Sequence, residues 1–93
     1  MRKDKILLVE DDSTLSFIVQ DALIREGFDV VCAPNGESGI KLFKESNPDI
    51  IVADVMMPKM DGFEMVHLIR LTSPAVPVLF LSLIHISEPT RPY

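Results

Sequence analysis

Residues 50–62 read IIVADVMMPKMDG, an apolar run that stops at the carboxylate of Asp54 and passes directly into turn-forming residues. A short continuous apolar run bounded by turn residues is typical of a strand that is buried on both faces of a parallel sheet. We therefore predict that Asp54 lies at the end of a central strand, where the chain leaves the sheet.

Along the chain, continuous apolar runs typical of buried strands alternate with segments whose apolar residues recur at helical spacing. Four apolar runs predict strands, at residues 5–9, 28–33, 49–54 and 76–81. The intervening segments predict three helices. The first has Asp12 or Ser13 as its N-cap and stops at Gly27, and the second is shorter and lies within 34–46. The third runs over about 63–71, with Phe63, Val66 and Ile69 facing inward. Strands that alternate with helices form a parallel sheet covered on both faces. The predicted fold class is a doubly wound α/β domain of about four strands and three helices.

Composition excludes several classes of function. The 93 residues are 47% hydrophobic, which suits one globular domain. Fourteen acidic against nine basic residues give a net charge of −5, which argues against direct nucleic-acid contact by this segment. We expect no signal peptide, and no stretch approaches the roughly 18 apolar residues of a membrane span, so we expect no membrane contact. The single cysteine, Cys32, fits a reduced core residue in the cytoplasm.

Carboxylates follow two of the predicted strands. Glu10 and Asp11 come directly after strand one, and Asp54 ends strand three. Because the carboxyl ends of parallel strands meet at one edge of the sheet, we expect these three side chains to form an acidic cluster. Mutual repulsion within such a cluster is relieved by a hard divalent cation, and oxygen ligands without His or Cys favour Mg²⁺. A carboxylate beside Mg²⁺ can attack phosphorus, which predicts an acyl phosphate on the protein.

Other chemically active side chains have simpler interpretations. Asp12 and Asp61 directly precede predicted helices, so we expect them to act as helix N-caps rather than as metal ligands. His67 falls on the exposed face of the third helix and has no second His beside it, so we expect no metal role for it.

Four motifs together resemble the receiver domain of two-component response regulators. They are ILLVEDD (6–12), PNGESGIKLF (34–43), PDIIVADVMMPKMDGFEM (48–65) and VPVLFLS (76–82), and they cover residues 5 to about 80. The element D-x-x-M-P-x-x-D-G, from Asp54 to Gly62, is specific at this spacing after a buried strand. The resemblance implies a flavodoxin-like receiver fold and a cytoplasmic phosphorylation switch.

The resemblance also implies a role for individual residues. Asp54 matches the aspartate that accepts phosphate from a histidine kinase or phosphotransfer protein. Asp11 matches the direct Mg²⁺ ligand and Glu10 the neighbouring acid that acts through water, while Met56 would offer its backbone carbonyl to the metal. Pro58 and Gly62 match the residues that shape the loop, and for Gly62 we expect a turn conformation that other residues resist. An output domain is implied for the full-length protein.

The C-terminal residues depart from the receiver pattern. Ser82 stands where the family has its switch hydroxyl, but no fifth strand, lysine or last helices follow. The string LSLIHISEPTR, residues 81–91, resembles one reading frame of a transposase adapter used in sequencing libraries. We therefore expect residues 1–80 to be the N-terminal part of an incomplete receiver fold and residues 81–93 to be a non-native tail. An uncovered apolar fourth strand predicts low solubility.

Three other functions compete with that of a phosphoacceptor. A phosphohydrolase of the haloacid dehalogenase type would have D-x-D at the end of strand one. A nucleotide-binding or flavin-binding module would have a Gly-rich loop there, and VEDDSTL contains no glycine. A non-phosphorylated interaction module, or a non-functional receiver fragment, stays open as the alternative.

Overall fold

A computed structural model describes residues 3–81 of the chain. Strands and helices alternate in the order β1 (Lys5–Val9), α1 (Ser13–Arg25), β2 (Asp29–Ala33), α2 (Gly36–Ser46), β3 (Ile50–Asp54), α3 (Gly62–Arg70) and β4 (Val78–Leu81). All strand pairs are parallel, and the sheet order is β2-β1-β3-β4. The prediction of a parallel α/β sheet with four strands and three helices is confirmed.

The two most apolar strands, β1 and β3, lie side by side in the middle of the sheet. Leu8 is in register with Val52, and Val9 with Ala53. Leu7, Leu8 and other side chains of these strands are fully buried because helices cover both faces. The pairing places the residues that follow Val9 beside the end of β3.

The two faces of the sheet have cores of different size. Alternate residues such as Leu7 and Val9 pack with Phe43 of α2 and Met65 of α3 in the larger core. On the opposite face, a small core around Leu8 is covered by α1. No side chain of α1 is fully buried, so this helix covers its face of the sheet only partly.

Two details of the helix and strand predictions were wrong. Phe63 does not face inward: it is 57% exposed, and its ring packs against that of Phe80 with centroids 4.7 Å apart. The buried face of α3 is formed by Met65, Val66 and Ile69 instead. Strand β4 begins at Val78 rather than at residue 76 because Pro77 has no N–H for the ladder, although its carbonyl accepts a hydrogen bond from the Ile51 N–H at 3.0 Å.

Each of the three helices within residues 3–81 begins at a residue whose side chain caps it. The Asp12 carboxylate accepts hydrogen bonds from the N–H groups of Thr14 and Leu15 at 2.9 and 3.0 Å. The Asp61 carboxylate accepts one from the Glu64 N–H at 2.8 Å, and Asn35 caps α2 in the same way. The expectation that Asp12 and Asp61 are N-caps is confirmed. Within residues 3–81, no helix is long and apolar enough to cross a membrane.

Replacing Asp12 with alanine should destabilise the protein because two N–H groups of α1 lose their acceptor. We expect the free energy of unfolding, measured by urea denaturation, to fall by about 1 kcal/mol. Asp12→Asn is the matched control, since asparagine caps a helix about as well as aspartate. An equal loss in both variants would show that the negative charge, rather than the cap, is what stabilises this end of α1.

Candidate functional site

The acidic cluster predicted from the sequence is present at the carboxyl edge of the sheet. Carboxylate oxygens of Glu10, Asp11 and Asp54 all lie within 4.8 Å of one another. Glu10 and Asp54 are buried, at 3% and 7% exposure, whereas Asp11 is exposed. The parallel pairing of β1 with β3 is what brings residues 10 and 54 together.

Asp54 is held firmly as the last residue of β3. Its Oδ1 accepts a hydrogen bond from the Met56 N–H at 3.1 Å, which fixes the carboxylate toward the following loop. The next residue, Val55, stays tied to the sheet because its N–H donates a hydrogen bond to the Leu81 carbonyl at 3.1 Å. A buried carboxylate on a fixed backbone is well placed to react in one orientation.

Glu10 is the most deeply buried member of the cluster. Its Oε2 accepts a hydrogen bond from the Asp12 N–H at 3.0 Å, but its Oε1 is buried and has no hydrogen-bond partner among residues 3–81. Burial, together with the nearby Asp54 and Asp11 carboxylates, raises the pKa of Glu10 to about 7. Glu10 therefore holds a proton more readily than an ordinary glutamate does.

These features fit a divalent cation. A partnerless buried oxygen, a raised pKa and three converging carboxylates describe a site with an excess of negative charge. The oxygen ligands, with no His or Cys in the cluster, fit a hard ion such as Mg²⁺. The carboxylate oxygens of the cluster are thus suitable ligands for Mg²⁺, the cofactor predicted from the sequence.

The loop between Asp54 and α3 is folded tightly against the cluster. The Gly62 N–H donates to the Val55 carbonyl at 3.1 Å, and the Met60 N–H donates to the Pro58 carbonyl at 2.7 Å. The left-handed conformation expected at Gly62 occurs at Lys59 instead, with φ at 70°. Gly62 is needed for a different reason: a Cβ there would collide with the backbone carbonyl of Asp54.

An open depression of about 220 Å³ adjoins the cluster. Besides Glu10 and Asp11 it is lined by α1 residues, among them Ser16 and Phe17, and by Cys32. Burial raises the pKa of the Cys32 thiol, so this cysteine is a poor nucleophile at neutral pH. No local sequence pattern predicts this depression, because α1 and the end of β2 supply much of its lining.

The remaining residues singled out in the sequence lie elsewhere. Asp12 and Asp61 cap helices outside the cluster, and His67 is exposed on α3 as expected. Met56 is exposed, and its N–H already bonds Asp54. Ser82 and the rest of the predicted tail lie outside the described residues.

Mg²⁺ affinity should rise with pH across the titration of Glu10. Below a pKa of about 7 the metal-free protein holds a proton on Glu10, and a bound cation favours release of that proton. We therefore expect binding to be several-fold tighter at about pH 8 than at about pH 6, by calorimetry in buffers of different ionisation enthalpy. Glu10→Gln removes the titrating group, so its Mg²⁺ affinity should change little over this range. An unchanged slope in that variant would assign the proton to another residue.

A family model and curated proteins both match most of this chain. The family model "Response regulator receiver domain" matches residues 6–91. The transcriptional regulatory protein AfsQ1 of Streptomyces coelicolor is 43% identical over 77 residues, which are 83% of this chain and 34% of that protein. The alkaline phosphatase synthesis transcriptional regulatory protein PhoP of Bacillus subtilis is 40% identical over 78 residues, 84% of this chain and 31% of that protein.

The fold of the chain is also similar to solved structures of proteins of this kind. The chemotaxis protein CheY4 of Vibrio cholerae superimposes with a TM-score of 0.82 at 31% identity, over 85% of this chain and 68% of that one. The non-phosphorylated HemR receiver domain of Leptospira biflexa gives a TM-score of 0.78 at 29% identity, over 84% of this chain and 63% of that one. The chain spans about a third of the length of the two regulators compared above.

Proposed function

Because the chain belongs to the family of response regulator receiver domains, which are signalling proteins of two-component systems rather than enzymes, we propose that Asp54 accepts a phosphoryl group. The donor is a phosphohistidine on a histidine kinase or on a phosphotransfer protein. The observation that carries the proposal is the convergence of buried Asp54 with Glu10 and Asp11, whose oxygens lie within 4.8 Å of one another.

Each residue of the cluster has a distinct part in this proposal. Asp11 and Asp54 would hold Mg²⁺ directly, Glu10 would hold it through water, and the Met56 backbone carbonyl would be a further protein ligand. When bound, Mg²⁺ neutralises negative charge on the transferring phosphoryl group and on the carboxylates. Pro58 and Gly62 keep the loop in place, the latter by leaving room for the Asp54 carbonyl.

The transfer itself uses one carboxylate oxygen of Asp54. That oxygen forms a bond to phosphorus while the bond between phosphorus and the donor imidazole nitrogen breaks. The bonding pair returns to the imidazole, which takes up a proton from water, and the products are an acyl phosphate on Asp54 and a neutral histidine. The hydrogen bond from the Met56 N–H to Oδ1 orients the carboxylate for this in-line attack. Water later cleaves the acyl phosphate and restores the carboxylate.

The output of the whole protein is part of the same proposal. AfsQ1 and PhoP are named as transcriptional regulatory proteins, and this chain matches about a third of each. We propose that the full-length protein is a cytoplasmic regulator in which phosphorylation of Asp54 controls an attached output domain. The receiver itself has no direct role in nucleic-acid contact, in keeping with its net charge of −5.

Uptake of phosphate from a small phosphodonor tests the proposal without the unidentified kinase. The 93-residue protein is incubated with phosphoramidate and Mg²⁺, and its intact mass is followed by mass spectrometry. We expect the mass of one phosphoryl group to be added, and we expect chelation of Mg²⁺ with EDTA to prevent the addition. No addition under conditions where circular dichroism shows a folded protein would favour the non-phosphorylated interaction module or the non-functional fragment.

A further inference from the structure

Asp12 links the start of α1 to the acidic cluster by hydrogen bonds. Its carboxylate accepts hydrogen bonds from the N–H groups of Thr14 and Leu15, and its carbonyl accepts one from the Ser16 N–H at 2.9 Å. On the other side, its own N–H donates to Glu10 Oε2 at 3.0 Å. Asp12 is exposed and does not belong to the cluster, yet it holds one of the carboxylates of the cluster.

The peptide group that carries the Asp12 N–H is held from both directions along the chain. The Glu10 N–H donates to the Ala33 carbonyl of β2 at 3.0 Å, which holds the chain against the sheet. The cap hydrogen bonds hold the chain against α1, because they tie the Asp12 side chain to the first turn of that helix. Only Asp11 lies between these two attachments. The Asp12 N–H is therefore a donor in a fixed position, and the cap helps to fix it.

This donor selects one orientation of the Glu10 carboxylate. A glutamate side chain has several rotatable bonds, so an orientation that no partner holds is one of many. With Oε2 on the Asp12 N–H, Oε1 is the oxygen that stays buried and has no hydrogen-bond partner among residues 3–81. Burial without a partner is unfavourable for a carboxylate oxygen, and a water molecule bound to a cation would supply the missing donor.

We propose that Asp12 is a positioning residue for Mg²⁺, which acts through Glu10 and does not touch the ion. The cap fixes the Asp12 N–H, the N–H orients Glu10, and Glu10 keeps Oε1 available to a water molecule of the ion. This inference rests on the proposed function, because Mg²⁺ at the cluster is part of it. Loss of a hydrogen bond that orients a metal ligand weakens metal binding by about 10-fold to 100-fold. Asp12→Ala keeps the N–H and removes only its anchor, so we expect the lower end of that range.

The Mg²⁺ affinities of cap variants of the 93-residue protein, measured by calorimetry at one pH, test this inference. We expect Asp12→Ala to bind Mg²⁺ about tenfold less tightly than the unchanged protein. Asp12→Asn keeps the cap and should stay within about threefold, since it loses only an exposed charge. Asn35→Ala is the matched control: Asn35 caps α2 by accepting a hydrogen bond from the Ser38 N–H, and it is not a member of the cluster. This variant also loses a cap, but its Mg²⁺ affinity should be unchanged.

A double-mutant cycle tests the path through Glu10. In a Glu10→Gln background, the side chain that Asp12 orients carries no charge. Asp12→Ala should then weaken Mg²⁺ binding by no more than about twofold, because the effects of two residues that act through one hydrogen bond are not additive. If Asp12→Ala does not fold, Asp12→Gly takes its place with the same expectations, since glycine also lacks the acceptor and is better tolerated at an N-cap.

Four results would overturn the inference while the unchanged protein still binds Mg²⁺. They are an unchanged affinity in Asp12→Ala, an equal loss in Asp12→Ala and Asp12→Asn, an equal loss in Asp12→Ala and Asn35→Ala, and a full tenfold loss in the Glu10→Gln background. No Mg²⁺ binding by the unchanged protein would overturn this inference together with the metal site of the proposed function. Mg²⁺ binding with the expected pattern, but without phosphoryl uptake, would contradict only the proposed role of Asp54.

Discussion

The Asp54→Asn variant is expected to take up no phosphate from phosphoramidate and Mg²⁺, where the unchanged protein takes up one group. Asparagine keeps the size of the side chain and an oxygen that can accept the Met56 N–H, so the local structure should survive. The amide is not a nucleophile toward phosphorus under these conditions. The measurement is the intact mass after reaction, with circular dichroism as the check on folding.

Asp61→Asn is the matched control for this experiment. Asp61 lies in the same loop, but its carboxylate caps α3 and is not a member of the cluster. Asparagine caps a helix about as well as aspartate, so we expect this variant to be stable and to take up phosphate normally. Equal uptake by Asp54→Asn and the unchanged protein would contradict the proposed role of Asp54.

The Gly62→Ala variant is expected to lose a large part of its stability. A Cβ at residue 62 would collide with the Asp54 carbonyl oxygen and would lie 3.3 Å from the Val55 Cα. These atoms belong to the backbone at the end of β3, so they cannot move aside as a side chain can. We expect the free energy of unfolding to fall by about 3 kcal/mol, with displacement of the loop that holds the acidic cluster.

Gly36→Ala is the control, because Gly36 is the first residue of α2 as Gly62 is the first residue of α3. A Cβ at residue 36 would meet the Met60 side chain, with its sulfur at 2.8 Å and its Cγ at 2.9 Å. Methionine is flexible and can adopt another rotamer, so we expect a loss within about 1 kcal/mol. If urea denaturation gave equal losses for the two variants, the collision with the backbone would not be the reason for glycine at residue 62.

The sequence predicted those features that depend on strand topology. A buried strand that ends at Asp54, and another followed by Glu10, can only bring these residues together if both strands are parallel neighbours. The apolar runs made that arrangement predictable, and the cluster was found as expected. The caps at Asp12 and Asp61 were also predictable, because capping depends on a local pattern of residues.

Features that depend on contacts between distant segments were not predictable. The prediction that Phe63 faces inward was wrong. Its ring packs against Phe80 of β4, and helical periodicity does not reveal this neighbour. The steric requirement at Gly62 depends on how closely α3 approaches the end of β3. The partnerless Glu10 oxygen likewise requires knowledge of what surrounds it. The boundary near Phe80 and the non-native tail stay predictions, since residues 82–93 lie outside the described part of the chain.

The most direct measurement of the central claim is the location of the phosphoryl group. After reaction with phosphoramidate and Mg²⁺, borohydride reduces an aspartyl phosphate to homoserine, and tandem mass spectrometry of the resulting peptides identifies the residue. We predict homoserine at residue 54, with Asp11 and Asp61 unchanged. Homoserine at another aspartate, or none in a protein that has gained the mass of a phosphoryl group, would contradict the assignment of Asp54 as the phosphoacceptor.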